Sequence, residues 1–344
     1  MLDLCQDMPM HKSLKDLSWD ISEPDYRLDK SLSYSKLSQF FKNGAKALIS
    51  NEKIDTPSLR FGNLVDTILT CPEEFDDRFY VADIDRFSDT IRKMVEYVYK
   101  NTEEHESLES IGNTLIVPLN EFDYQTNWKD ETRIKKLIEL GSDYYTVLKY
   151  STGKIVISPQ EFSEAQQCVN TLRTHQYTYD IFECNEDEEV LYQLKFKTQI
   201  QGVPFRFMMD LVKIDHENKT VKSFDLKTTG DNEESFESSY VKWCYFLQSE
   251  GYWTALNWIL REDDYFKDFE LLPFEFIVIN KNNLTPLRWI DKHIEDNTNE
   301  LFNKYGITFQ SLLQDANWHL QNGKFDYSRK SYENNGINPI ILKL

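Results

Sequence analysis

The sequence has few cysteines, and none of them are paired in a recognisable motif. The five, at positions 5, 71, 168, 184 and 244, are scattered over 344 residues without any Cys-x-x-Cys. This spacing excludes a disulfide framework and a zinc or iron–sulfur site built from cysteines, and it is typical of a reducing compartment. The chain also lacks 18 consecutive apolar residues, so we expect no transmembrane helix and no membrane partner. The first 20 residues lack the charged-then-apolar order of a signal peptide, which predicts a cytoplasmic location.

Positive charge is scarce as well. Against 58 Asp and Glu there are 39 Lys and Arg, which gives a net charge of −19. Nucleic-acid-binding proteins are usually basic somewhere, so this total argues against tight non-specific binding. It does not exclude a metal-dependent site in a locally basic cleft. The acidic residues concentrate at 183–189 and 231–238, whereas a locally basic region is formed by Arg133, Lys135, Lys136, Lys149 and Lys154.

The stretch from Phe205 to Thr229 is the most informative part of the chain. Two short apolar runs flank a polar turn at 215–219, and each run carries one aspartate, Asp210 and Asp225. Runs of this length, rich in Val, Ile and Phe and bounded by turn residues, are typical of strands. We therefore predict a β-hairpin centred between Glu217 and Asn218.

In that hairpin, paired residues have numbers that sum to 435, so Asp210 lies opposite Asp225. Opposed Cβ atoms are roughly 5 Å apart, and like charges there destabilise a sheet unless a cation lies between them. Lys227 is two residues beyond Asp225 and projects from the same face. The three side chains could hold a divalent metal ion, a phosphate and an attacking water. The alternative, an ion cluster on a solvated sheet face, stays open on these residues alone.

A preceding strand is predicted from Val190 to Ile200, where apolar and polar residues alternate cleanly. The turn at Gln201-Gly202 returns the chain into the hairpin strand, with paired numbers that sum to 403. This register puts Gln193 opposite Asp210. Three antiparallel strands are therefore expected to converge near Gln193, Asp210 and Asp225.

Helices are predicted on either side of these strands. Residues 57–71 show one apolar helical face, with Gly62 permitting close backbone contact and Asp66 off the apolar stripe. Asp66 is equally compatible with a solvated helix residue. A long helical pattern from Phe236 to Leu260 carries Gln248 and Tyr252 one turn apart, a pair also compatible with a polar residue beside a core tyrosine.

The remaining elements are predicted from caps and periodicity. Ser33 caps an early helix, 91–99 is helical, 156–171 is a helix capped by Ser158, 274–279 is a buried strand and 291–321 is helical. The last 20 residues are polar and irregular. As domains we expect an N-terminal arm over 1–30, a main domain over 31–330 with a helical insertion at about 85–175, and a C-terminal tail over 331–344.

Four segments occur in the order of a known family. They are Gly62-x-x-x-Asp66, Met209-Asp210, the run Asp225-Leu226-Lys227-Thr228-Thr229, and Gln248-x-x-x-Tyr252. This set resembles the PD-(D/E)XK nuclease superfamily in its RecB-like branch, and most of all the phage and prophage RecE-type exonuclease VIII. The resemblance covers roughly residues 31–330. It implies an α/β fold of the restriction-endonuclease-like kind, in which a central mixed β-sheet is flanked by helices.

The resemblance also implies roles for individual residues. Asp210, Asp225 and the backbone carbonyl of Leu226 would bind Mg²⁺ or Mn²⁺, as one or two ions. Lys227 would orient or activate the water and stabilise charge on the phosphate, and together with Asp210 and Asp225 it forms the implied catalytic set. Gln248 and Tyr252 would support the site and contact DNA. Gln193, which the strand register rather than the resemblance puts beside them, is assigned the same role. The family usually has His where this chain has Asp66, so Asp66 as a metal ligand implies either an altered metal preference or a weakened site.

The function this implies is a metal-dependent exonuclease that degrades linear double-stranded DNA in phage-type recombination or DNA processing. The expected partners are double-stranded DNA ends, a single-strand annealing recombinase and other copies of the chain, in the cytoplasm of a bacterial host. Two alternatives stay open. One is a non-catalytic DNA-binding or assembly protein that keeps the fold, and the other is a phosphodiesterase acting on RNA or nucleotides.

Overall fold

The computed structural model describes residues 11–50, 56–102, 107–292 and 306–338. Its strands are β1 (Phe79–Val81), β2 (Ile155–Ile157), β3 (Glu188–Ile200), β4 (Val203–Asp215), β5 (Thr220–Thr229), β6 (Glu270–Leu271), β7 (Glu275–Asn280) and β8 (Pro286–Ile290). The first half of the chain contains the helices α1 (Glu23–Leu28), α2 (Tyr34–Asn43), α3 (Pro57–Thr70), α4 (Phe75–Arg78), α5 (Asp89–Asn101), α6 (Leu108–Ile111), α7 (Ile116–Glu121) and α8 (Asp130–Tyr150). The second half contains α9 (Pro159–Thr174), α10 (Tyr179–Phe182), α11 (Phe236–Trp243), α12 (Tyr245–Glu262), α13 (Phe309–Asn322) and α14 (Arg329–Glu333). Within the described ranges no helix is both long and apolar enough to cross a bilayer.

The chain divides into two compact units. One comprises the described parts of residues 1–70 and 167–344, and the other comprises residues 71–166. The predicted insertion at about 85–175 overlaps the second unit, and its exact limits stay a prediction.

A central mixed sheet organises the first unit, as predicted. Its strand order is β3-β4-β5-β7-β8, with β6 also paired to β5. The β3–β4 and β4–β5 pairs are antiparallel, whereas β5 and β7 are parallel. Short connections join the antiparallel pairs β3–β4, β4–β5 and β7–β8, and the long connection through α11 and α12 provides the crossover that the parallel β5–β7 pair needs.

Helices cover both faces of this sheet. On β5, Thr228 lies against α3, where a Cβ built on Gly62 would be 3.4 Å from its Oγ1. The neighbouring Lys227 points to the opposite face, towards Tyr245 at the start of α12. Since successive strand residues point to opposite faces, α3 and α12 flank the sheet from opposite sides. The buried core joins aromatic residues of β4, α12 and α13, including Phe205, Phe207, Phe246 and Phe309.

Most predicted elements are confirmed with small shifts in their limits. Ser33 caps α2 and accepts from Lys36 N, and Ser158 and Glu161 cap α9 reciprocally. Residues 23–28, within the predicted N-terminal arm, form a short helix. Of the predicted helix 291–321, residues 293–305 lie outside the described residues, and α13 covers its end.

Three expectations about secondary structure were wrong. The pattern 236–260 is two helices, because Cys244 adopts a left-handed conformation with φ 62° between α11 and α12. Residues 155–157, predicted in part as the start of a helix, form a strand parallel to β1. The last 20 residues include α14.

The second unit is mainly helical. Its core packs α5, α6, α7 and α8 around buried aliphatic residues and two tyrosines, Tyr144 and Tyr145. Arg133, which belongs to the locally basic region of the sequence, is buried. It donates to the carbonyls of Leu119 and Tyr124 and pairs with Asp130, so it serves the packing of this unit.

Candidate active site

The predicted registers of both hairpins are observed. The β3–β4 pairs include Leu194 with Met209, and the β4–β5 ladder runs to Leu211 paired with Phe224. Asp210 and Asp225 would form the next pair, but the ladder ends before them. The strands therefore separate at the point where the two carboxylates meet.

A hydrogen bond from the backbone replaces the missing ladder pair. Leu226 N donates to Asp210 Oδ2 at 2.9 Å. This contact fixes one carboxylate oxygen of Asp210. Burial, then the negative charges of Asp225 and Asp66, raise the pKa of Asp210 well above its usual range. The negative charges of the candidate site are therefore not fully balanced by its positive ones.

Asp225 is almost fully buried, and a residue of α12 holds its carboxylate. Gln248 Nε2 donates to Asp225 Oδ1 at 2.5 Å. Asp225 Oδ2 lies against the ammonium of Lys227, yet it receives no hydrogen bond of normal geometry, and the buried Gln248 Oε1 also has no partner. Buried polar atoms without partners are uncommon in folded proteins. Gln248 Oε1 is available to a ligand within the site, whereas Asp225 Oδ2 is already ion-paired with Lys227.

Lys227 sits between carboxylates and aromatic rings. Its Nζ pairs with Asp225 and lies 4.7 Å from the ring centroid of Tyr245 and 5.9 Å from that of Phe276. Burial alone would lower the pKa of Lys227, but Asp225, Tyr245 and Asp210 raise it above its usual range. The ammonium of Lys227 is thus held between Asp225 and the Tyr245 ring, where it can stabilise negative charge on a bound phosphate.

Gln193 and Asp66 lie together, beside Asp210. Gln193 leaves the β3–β4 ladder with φ 51°, which is uncommon for a residue other than Gly. Its Nε2 donates to Asp66 Oδ2 at 2.9 Å and to Thr70 Oγ1 at 3.1 Å. Within the part of the chain that the structure describes, no three or more Asp, Glu, His or Cys side chains are placed to hold a metal ion together. Asp66 thus contributes charge to the site without completing a three-carboxylate cluster.

Tyr252 is placed in the core. It is buried, and its ring packs 5.4 Å from Phe207 and 6.2 Å from Phe274 between centroids. Burial raises the pKa of Tyr252 well above its usual range. In this position Tyr252 packs α12 against the sheet. Its predicted contact with DNA stays a prediction.

Two tyrosines near the site were not singled out from the sequence. Tyr245 stacks beneath Lys227, and Tyr34 donates from its hydroxyl to the carbonyl of Trp243 at 2.9 Å. Burial is the main reason that the pKa of Tyr34 is raised, and the charges of Lys227 and Asp225 also act on it. The position of Tyr245, three residues before Gln248 on one helix, was a signal that could have identified it.

The oxygen donors of this site are chemically suited to a hard divalent cation. Two carboxylates, Asp210 and Asp225, meet at the split strands, and an unpaired buried oxygen lies beside them. Oxygen ligands of this kind are those that Mg²⁺ and related ions prefer. The excess negative charge and the solvent-excluded setting also argue against an ion cluster on a solvated sheet face.

Comparison with known proteins agrees with this geometry. Residues 33–330 match the model of the family DUF3799, described as a PDDEXK-like domain of unknown function, so the chain belongs to that family. This confirms the PD-(D/E)XK superfamily and the predicted fold class. The closer likeness to RecE-type exonuclease VIII stays a prediction. PD-(D/E)XK-like nucleases generally use divalent metals, which agrees with the oxygen donors found here.

Other comparisons add little. No curated protein matches the chain. Among solved structures, SSO0001 shows 9% identity over 73% of this chain and 92% of its own, with a TM-score of 0.25. The protein VC1899 from Vibrio cholerae shows 11% identity over 79% of this chain and 57% of its own, with a TM-score of 0.16. Both TM-scores are too low to carry an argument about this chain.

Proposed function

We propose that this PDDEXK-like protein is a Mg²⁺- or Mn²⁺-dependent deoxyribonuclease that degrades linear double-stranded DNA from its ends. The observation that carries the proposal is the meeting of Asp210, Asp225 and Lys227 where β4 and β5 separate. Family membership supports nuclease activity in general. Exonuclease action, and a place in phage-type recombination beside an annealing protein in a bacterial cytoplasm, rest on the sequence resemblance to the RecE type.

Each residue of the site has a distinct task in this proposal. Asp210 and Asp225, with the carbonyl of Leu226, would hold the metal ion. A bound divalent ion lowers the pKa of a water and polarises the scissile phosphate. Gln248 holds Asp225 in one rotamer, and the Leu226 amide does the same for Asp210. Lys227 places a fixed positive charge beside the phosphate, where negative charge develops.

The experiment compares linear and closed-circular duplex DNA with Mg²⁺ or Mn²⁺, using the native protein and Lys227→Ala. The proposal expects loss of linear DNA alone, by the native protein alone. Cutting of the closed circle would make the enzyme an endonuclease. No loss of either DNA at any metal concentration would refute the proposed activity.

A second candidate function is a DNA-binding or assembly protein that keeps the fold without cleavage. The observation that favours it is Asp66, which stands where the family usually has His and is bound by Gln193. In that case the native protein would slow the migration of short duplexes in a mobility-shift assay and would not cleave them. The third candidate, a phosphodiesterase acting on RNA or nucleotides, is tested by the cleavage assay with single-stranded RNA in place of DNA. This substrate is included because no residue of the candidate site distinguishes the sugar.

A further inference from the structure

An exposed tryptophan stands at the edge of the candidate site. Trp243 ends α11 with 47% of its surface exposed. The ammonium groups of Lys42 and Lys242 lie 5.1 and 4.8 Å from the centre of its indole ring. This surface therefore offers an exposed aromatic ring and two positive charges together. We call Trp243, Lys42 and Lys242 the Trp243 platform.

The platform is joined to the site by a short rigid path. The carbonyl of Trp243 accepts from Tyr34 Oη at 2.9 Å, so the end of α11 is held against α2. Cys244 then turns the chain in a left-handed conformation, and Tyr245 begins α12 directly beneath Lys227. Trp243 and Tyr245 are two residues apart, so their Cα atoms are separated by at most about 7 Å. The backbone at the end of α11 therefore lies close to Lys227.

The charges of the platform are available to a ligand. In the described ranges neither Lys42 nor Lys242 lies within ion-pair distance of a carboxylate, and the ammonium groups of both lie over the Trp243 ring. Lys197, Lys213 and Lys222 of the same unit, by contrast, are each paired with a carboxylate. Lys42 and Lys242 therefore give this surface positive charge on a chain with a net charge of −19.

We infer that the Trp243 platform binds one nucleotide of a single-stranded DNA segment beside the cleavage site. A base stacks on the indole, while Lys42 and Lys242 bind the flanking phosphates. Aromatic stacking with nearby cations is how proteins bind single strands without reading their sequence. A lysine stem is flexible enough to leave the ring and keep its ammonium on a phosphate. The inference rests on the proposed nuclease function and adds where the strand runs.

The same surface does not suit a folded protein partner as well. Val241, with 38% of its surface exposed, is the large apolar neighbour on the same helix, and the platform itself is one ring between charges. A protein interface needs a broader apolar patch surrounded by a polar rim. An acidic peptide remains an outcome that the test can detect.

The test measures DNA binding without metal, so that cleavage plays no part. Fluorescence anisotropy follows a labelled oligothymidine, and a blunt duplex of the same length, on the native protein and its variants in EDTA. Trp243→Ala should weaken single-strand binding about tenfold, a typical effect of removing one stacked base, whereas Trp243→Phe retains most of the affinity. The double change Lys42→Gln with Lys242→Gln should reduce the slope of log K against log salt by about 0.7 for each phosphate that the protein no longer neutralises.

Trp258→Ala is the matched control. Trp258 is 54% exposed on α12, at a distance from the Lys42 and Lys242 pair along the chain. Suppose that the native protein binds or degrades DNA, and that Trp243→Ala and Trp258→Ala bind the oligothymidine with equal affinity. This result would refute the role of the Trp243 platform without contradicting the proposed nuclease function. Absence of all binding and cleavage by the native protein would refute both. Binding of a polyglutamate peptide in place of the oligonucleotide, abolished in Trp243→Ala, would overturn the nucleic-acid assignment.

Discussion

Replacing Asp210 with Asn should make the metal-free protein more stable while abolishing its activity. In the folded state Asp210 is close to Asp225 and Asp66, and its pKa is raised by burial and by these two charges. Asparagine has nearly the same shape, and its amide oxygen can still accept the hydrogen bond from Leu226 N. The substitution therefore removes repulsion without opening a cavity.

The size of the effect follows from Coulomb's law. Two unit charges about 5 Å apart at an effective dielectric constant of about 20 repel by ~3 kcal/mol. Lys227 offsets part of this repulsion, so we expect a net gain of about 1–2 kcal/mol in the free energy of unfolding. With an unfolding entropy of roughly 2.1 cal/mol/K per residue over 344 residues, this corresponds to a rise in Tm of about 1–3 °C. Below the ordinary Asp pKa of 3.8, Asp210 is protonated in both the folded and the unfolded state, and the gain should disappear.

The assay is thermal unfolding of both proteins in EDTA and then in Mn²⁺. A metal at 100 times its Kd stabilises the native protein by about 2.7 kcal/mol, so Mn²⁺ should reverse the order of the two melting temperatures. Glu275→Gln is the control, because we expect it to lower the stability that Asp210→Asn raises. Glu275 is fully buried and pairs with Lys222 and Arg288, so its neutralisation should destabilise the protein by about 2–3 kcal/mol. A metal-free Asp210→Asn that melts below the native protein would contradict the account of excess charge.

Three further predictions concern the scaffold. Gly251→Ala should cost about 1–3 kcal/mol in urea unfolding, since its Cβ would lie 2.7 Å from the Phe309 ring; an unchanged midpoint would contradict this packing. Burial, then Asp291, raise the pKa of Glu250 to about 7, so the folded state binds the extra proton and stability falls as pH rises from about 4.5 to 7. Glu250→Gln should remove that part of the pH dependence, and equal slopes for the two proteins would refute it. Lys219→Gly should stabilise by about 1 kcal/mol, because the exposed Lys219 has φ 52° in the β4–β5 turn, and a decrease in stability would show that the turn is unstrained.

The sequence was most informative where local rules determine structure. Clean alternation and two tight turns set the registers of β3, β4 and β5, so the meeting of Asp210 and Asp225 could be placed by counting residues. The same alternation put Lys227 on the face of Asp225. Hairpins depend on contacts between residues near in sequence, which is why their geometry can be predicted without knowledge of the rest of the fold.

Features that depend on tertiary contacts were not predictable. Cys244 and Gln193 adopt left-handed conformations that no Gly or Asn signals, so the break between α11 and α12 and the departure of Gln193 from its ladder were missed. The parallel pair β1–β2 joins three residues from each of two distant segments, too few to show a period. Arg133 belongs to a locally basic stretch of the sequence, and only the folded unit shows that it is buried against the carbonyls of Leu119 and Tyr124.

The most direct test measures metal binding and cleavage on the same preparations. Mn²⁺ is titrated calorimetrically into the native protein, Asp210→Asn and Glu250→Gln, and each sample is then assayed on linear duplex DNA with Mn²⁺. The account predicts that Asp210→Asn loses both the binding heat and the cleavage, while Glu250→Gln keeps both. Metal-dependent cleavage at the native rate by Asp210→Asn would contradict the assignment of the site.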